Sequence, residues 1–386
     1  AASLATTVTV DALPATPTIT AGGSTTFCTG GSVTLTSSTG TSYLWSNGAT
    51  TQSINVTTAG SYTVQVTNAA SCQSASSTPT VITVNALPTT PTITAGGSTT
   101  FCSGGSVTLT SSAGTTYLWS NGATTQSISA TTAGSYTVQV TNAATCQSAS
   151  STPITVTVNP LPATPTISAF GSTTFCAGES VILTSSVGTS YLWSNGATSS
   201  SINVTTAGSY TVQVTNAASC QSAASLATTV TVNALPATPT ITAGGSTTFC
   251  TGGSVTLTSS AGTSYLWSTG ETTQSINVTT AGSYTVQVTN PAGCQSAAST
   301  ATNITVNSLP TTPTITAGGA TTFCAGGSVT LTSSAGNSYL WSNGATSQSI
   351  NVTTSGSYTV QVTNPSGCQS AASASTTITV NALPAT

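Results

Sequence analysis

The sequence predicts an all-β protein, a tandem array of five β-sandwich domains with about seven short strands each. Three observations carry that expectation. Cysteines at 28, 102, 176, 250 and 324, and again at 72, 146, 220, 294 and 368, recur at a step of 74 residues, and Trp45, Trp119, Trp193, Trp267 and Trp341 keep the same step. Within each step apolar and polar residues alternate with a period of two, the mark of half-buried strands, and no stretch combines a 3.6-residue period with helix caps. Gly, Asn and Pro turn signals separate the alternating runs. A period of 74 is too long for the common solenoid units and suits a small autonomous domain.

In the first repeat, Thr18-Ile19-Thr20 opens an extended edge. Ser32-Val33-Thr34-Leu35-Thr36 reads as a strand with Val33 and Leu35 on one face. Tyr43-Leu44-Trp45 follows, then Asn47-Gly48, a pair that favours a two-residue hairpin because both positions tolerate positive φ. Ser53-Ile54-Asn55-Val56 and Tyr62-Thr63-Val64-Gln65-Val66 are further strands, and Ile82-Thr83-Val84 is the last. Leu87-Pro88 and Pro91 make a short, stiff linker.

Counted from Pro17, the domains are 17–90, 91–164, 165–238, 239–312 and 313–386. Residues 1–16 match 223–238 except for Asp11 against Asn233, so they read as the last strand and linker of a preceding repeat, with Thr6 to Val10 as the strand. The chain then reads as a piece of a longer periodic protein. A second reading has that strand complete the sandwich of another molecule by strand addition.

Composition removes most chemistry. The chain holds no Lys, Arg, His or Met and only three acidic residues, Asp11, Glu179 and Glu271. It has no imidazole for base catalysis or metal ligation and no amine for a Schiff base. It also lacks a cationic clamp for phosphate, and counterion release cannot drive nucleic-acid binding. The expectation is a non-enzyme with no cofactor, no metal and no nucleic-acid partner. Mean hydropathy is +0.23, yet no run approaches the ~20 apolar residues of a membrane-spanning helix. A net charge of −3 leaves little colloidal repulsion between copies.

The run Gly31-Ser32-Val33-Thr34-Leu35-Thr36 resembles the second strand of immunoglobulin-like (Ig-like) domains, and Gly60-Ser61-Tyr62-Thr63-Val64 resembles their tyrosine corner, with Trp45 as core Trp. The unit from Phe27-Cys28 through Tyr43-Leu44-Trp45-Ser46-Asn47-Gly48 to Ser71-Cys72 resembles the tandem Ig-like/PKD-like repeats of secreted Bacteroidota surface proteins, and the resemblance covers all five repeats. It implies five Ig-like β-sandwich domains of the kind that form stalks and adhesin shafts, and it carries no catalytic residue. Ser37 and Val64 occupy the places of the antibody inter-sheet cysteines, so that disulfide is absent.

Ten cysteines in strict register, without His and without a Cys-x-x-Cys pair, point to disulfides rather than zinc, and so to an oxidising, extracytoplasmic setting. The spacing favours pairs within each repeat: Cys28 with Cys72, Cys102 with Cys146, Cys176 with Cys220, Cys250 with Cys294, and Cys324 with Cys368. The Ig analogy places those partners at opposite ends of a sandwich, roughly 20 Å apart, where a disulfide needs Cα atoms within roughly 7 Å. The alternative is a staggered set, Cys28 with Cys146 and onward, and free or intermolecular thiols are the third possibility.

Other features have a plainer reading. Trp45 and its copies fit core packing better than sugar stacking, and the Tyr62 hydroxyl fits a bond to nearby backbone. Asn55, Asn203, Asn277, Asn351 and Asn303 sit in glycosylation sequons, but the second repeat has Ser129 in place of the first four. Thr-x-Thr runs could form ice-binding ladders, yet a charge-free surface needs Thr for solubility in any case. Gly22-Gly23 and Gly30-Gly31 serve turns, with no phosphate-loop Lys after them. Cys72-Gln73 is no thioester, since such bonds join residues distant in sequence.

The functional expectation is a structural constituent of an extracellular or cell-surface fibre, stalk or filament. Its partners are copies of itself and neighbouring repeats of a longer chain. The alternative is a repetitive adhesin whose repeats, or a terminal domain, bind glycan or another cell.

Overall fold

The computed structural model describes residues 2–383. Among them every regular element is a strand, none is a helix, and eight strand segments recur in each 74-residue repeat. The last three residues of the 313–386 domain and the first of the 1–16 head lie outside the described residues.

In the first repeat the strands are β1 (Ile19–Ala21), β2 (Thr26–Cys28), β3 (Val33–Ser37), β4 (Ser42–Trp45), β5 (Ser53–Val56), β6 (Gly60–Tyr62), β7 (Val64–Thr67) and β8 (Thr80–Asn85). They form three small sheets: β1-β3-β5, β2-β8-β6 and β4-β7. All pairings are antiparallel except β2 with β8, which runs parallel with Cys28 opposite Asn85. Alternation sets the register. Val33 and Leu35 of β3 face Val56 and Ile54 of β5, so one face of that sheet is apolar.

That face and its counterparts close a hydrophobic core. Val33, Leu35, Trp45, Ile54, Val56, Tyr62, Val64 and Ile82 are buried together in the first repeat. The same positions cluster in the second, fourth and fifth. The Trp45 indole N–H donates to the Thr51 carbonyl at 2.8 Å, so the one polar atom of this large buried side chain is satisfied. The Tyr62 hydroxyl donates to the Thr58 carbonyl at 3.1 Å.

The structure departs from the sequence expectation in four places. Tyr62 to Val66 is not one strand: at Thr63 the chain changes partner, leaving β8 for β4, and the ladder breaks into β6 and β7. The short strand β2 carried no pattern long enough to read. Asn47-Gly48 does make a tight turn, with Gly48 at φ 86° and its N–H on the Trp45 carbonyl at 2.9 Å. It does not join a hairpin, because β4 pairs with β7 and β5 with β3. Finally, Thr6 to Val10 forms no strand and is exposed. Its equivalent β8 is held by β2 and β6 of its own repeat.

Beyond β7, residues 73–77 line its second edge in an irregular way. Ser74 and Ser77 are buried, their hydroxyls accept from the Val66 and Val64 N–H groups at 3.0 and 3.1 Å, and their own N–H groups donate to the same residues' carbonyls. Serine hydroxyls thus stand in for ladder carbonyls, which keeps buried backbone donors paired.

The chain forms two compact units. One comprises Ala1–Thr166, Ser186–Ser200 and Val212–Ser225; the other comprises Ile167–Ser185, Ser201–Thr211 and Leu226–Thr386. The division runs through the third repeat, whose Trp193 and Leu183 are both buried.

One glycine per repeat is required by packing rather than by φ. A Cβ on Gly114 would lie 2.7 Å from the Cβ of buried Val140, whereas one on Gly97 would meet nothing within 4 Å. We expect Gly114→Ala to cost about 1–3 kcal/mol and Gly97→Ala to be neutral or stabilising by a few tenths. Urea unfolding of the two variants checks this, and equal effects would contradict it.

Candidate functional site: the inter-repeat junction

The residues that repeat most strictly and bear the only distinctive chemistry are the cysteines, and they meet between repeats. The disulfides join Cys28 to Cys146, Cys102 to Cys220, Cys176 to Cys294 and Cys250 to Cys368, each with Cα atoms 5.6 Å apart. Pairing inside a repeat is therefore corrected to pairing with the next repeat. Cys72 and Cys324, expected to bond to Cys28 and Cys368, are free thiols.

The register supplies the reason. Cys28 lies beside Asn85, beyond the Gly60 end of the β6–β7 run, and Cys72 follows the Thr67 end. Seven strand residues separate Gly60 from Thr67, about 23 Å at 3.3 Å each, well past the 7 Å limit. Cys146 instead sits in the loop after the second repeat's equivalent of β7, where the linker from the first repeat arrives.

One asparagine organises that loop and grips the incoming linker. The Asn142 side-chain oxygen accepts from the Cys146 N–H at 3.0 Å, and its Nδ2 donates to the Ala86 carbonyl at 2.9 Å. Asn216 repeats the arrangement on Pro160, Asn290 on Ala234 and Asn364 on Ser308. Asn68 holds Ala12 of the head in the same way. The cysteine of the loop is fully buried at all four bridged junctions, and its partner is partly exposed. Nothing in the sequence marked Asn142 apart from other loop asparagines; only its fixed place four residues before each second cysteine could have pointed to it.

The residue between them takes a left-handed backbone. Ser71, Thr145 and Ser219 have φ of 63°, 63° and 62°, and Gly293 and Gly367 hold the same place at 82° and 79°. A β-branched residue is strained there by about 1–2 kcal/mol. We expect Thr145→Gly to stabilise the second repeat by about 1 kcal/mol and Gly367→Thr to destabilise the fifth comparably. Denaturant midpoints under reducing conditions would show it, and a shift of the same sign in both variants would contradict it.

The remaining candidates do not gather into a second site. The Trp and Tyr62-type side chains are in the cores, and the sequon residues Asn55 and Asn303 are exposed on strands. Glu271 accepts from the Thr269 hydroxyl, which holds its carboxyl below the usual range, and it stands alone. Shallow grooves beside three of the linkers, one lined by Pro236, Gly262, Val288 and Asn290, contain no titratable side chain. We expect alkylation of the native, unreduced chain to label two thiols, Cys72 and Cys324, and mass spectrometry finding label on Cys146 would contradict the staggered set.

No protein-family model matches the chain, and no curated protein matches it. Among solved structures it is similar to one described as a Ca2+-stabilized adhesin that helps an Antarctic bacterium reach out and bind ice. That likeness has 20% identity and a TM-score of 0.33, over 76% of this chain and 99% of the other. A second similar chain comes from work on the host cell surface retention of a 1.5-MDa bacterial ice-binding adhesin, with 20% identity and a TM-score of 0.25, over 58% of this chain and 99% of that one. Neither likeness carries a functional assignment.

Proposed function

We propose that the chain is a structural constituent of an extracellular surface fibre, stalk or filament, assembled from Ig-like β-sandwich repeats bounded at 17–90, 91–164, 165–238, 239–312 and 313–386. The observation that carries this reading is the junction. Eight of the ten cysteines bolt a repeat to its neighbour. Four disulfides in strict register require an oxidising compartment and support a location outside the cytoplasm. Three acidic groups and no cations leave copies little reason to repel one another. Leu44, Leu118, Leu192, Leu266 and Leu340 are each close to half exposed, one per repeat, so an apolar contact could recur at a fixed step.

Electron microscopy of the native material tests the reading, with fibres or surface stalks as the expected result. Dispersed particles, together with specific binding of a single repeat on a glycan array, would replace it with the adhesin reading.

A further inference from the structure

The four disulfides overlap. Each spans 118 residues while the repeat is 74, so each begins before the previous one has closed. Cys28–Cys146 covers the start of Cys102–Cys220, which covers the start of Cys176–Cys294, and so on to Cys368. Two consequences follow from connectivity alone.

First, every peptide bond between Cys28 and Cys368 is bridged by at least one disulfide. The stretches 102–146, 176–220 and 250–294 are bridged by two. Second, the shortest covalent route between Cys28 and Cys368 avoids most of the chain. It crosses to Cys146, follows 30 residues to Cys176, crosses to Cys294, goes back 44 residues to Cys250 and crosses to Cys368. An equally short route uses Cys102–Cys220 in place of Cys176–Cys294.

We propose that the staggered disulfides give this array a load-bearing function: they cap how far tension can extend it and keep the array continuous after any single backbone break. The 340 residues between Cys28 and Cys368 would stretch to about 1,200 Å as a bare chain, at up to ~3.6 Å per residue. The short route holds 74 residues and three bridges, roughly 280 Å on the same scale. Unfolding any repeat, or all of them, cannot lengthen the oxidised array beyond that limit. Unfolding of the small sheets can then release only a fraction of the chain they contain.

Two measurements on the full chain test this. Single-molecule stretching from both ends should show five unfolding steps of roughly 250 Å each in reducing buffer. In oxidising buffer the total extension between the bridged ends should be about fourfold smaller and free of such steps. Full-repeat steps without reductant would overturn the proposal. A single elastase cut between Cys28 and Cys368 should leave those two cysteines in one band on a non-reducing denaturing gel and release fragments only after reduction. Fragments freed without reduction by single cuts in the linkers near residues 160–166 would overturn it as well.

The double variant Cys102→Ser with Cys220→Ser separates this scheme from simple stabilisation. Its oxidised extension limit should stay unchanged, because the other short route survives. Single cuts between 147 and 175 should now release fragments without reduction. A lengthened limit, or retained continuity after such cuts, would refute the connectivity argument. None of these readouts depends on where the protein resides, so failure of the fibre reading leaves the test intact.

Discussion

Reducing the four disulfides is expected to lower the thermal midpoint by on the order of 10 °C or more and to loosen the coupling between repeats. Each bridge closes a 118-residue loop, for which the chain-entropy model gives about 4–5 kcal/mol. That restraint acts on the state in which both neighbours are open, since one folded repeat already confines half of the loop. Oxidised repeats should therefore melt together, and reduced repeats more independently. A 74-residue domain on its own has about 4–11 kcal/mol of stability, so a term of this size decides how the array behaves. Calorimetry with and without reductant gives the answer, and superimposable traces would show that the bridges add nothing to the fold.

Leu109→Ala is expected to cost the second repeat about 3–4 kcal/mol. Leu109 is fully buried, pairs with Ile128 and Ala95 across the sheet, and packs in one cluster with Trp119 and Val138. Deleting three carbons there leaves a cavity that a short three-stranded sheet has little freedom to close. Under reducing conditions, hydrogen exchange in the segment 107–158 should accelerate by roughly 10²–10³, while segment 329–378 keeps its protection. Acceleration spread evenly over all repeats would mean that the repeats do not fold as separate cores.

How much of this could be read beforehand differs by element. The longer core strands were legible because each carries its own alternation: Val33 and Leu35 or Ile54 and Val56 announce a buried face without knowledge of the partner. The core Trp and the Tyr62 hydroxyl bond were legible for the same local reason. Partner choice was not. Asn47-Gly48 looks like a hairpin from four residues, but the strands it separates belong to different sheets, and only the packed core shows that β4 prefers β7. The cysteine pairing failed as a matter of spacing and succeeded as a matter of geometry. A 44-residue interval suggests a local loop, whereas the register of β2 against β8 places Cys28 at the far end of the repeat from Cys72. Asn142 carried too little pattern to be noticed, because its role depends on a carbonyl 56 residues earlier in the chain.

The stagger also imposes a counting rule. Five repeats form four bridges and leave one cysteine of each kind over, Cys72 and Cys324. Because every bridge joins a repeat only to its immediate successor, duplicating or deleting a whole repeat in the gene changes the number of bridges by one and disturbs no other. Length in such a design becomes a freely adjustable quantity, open to recombination between near-identical stretches of coding sequence without any redesign of the crosslinks.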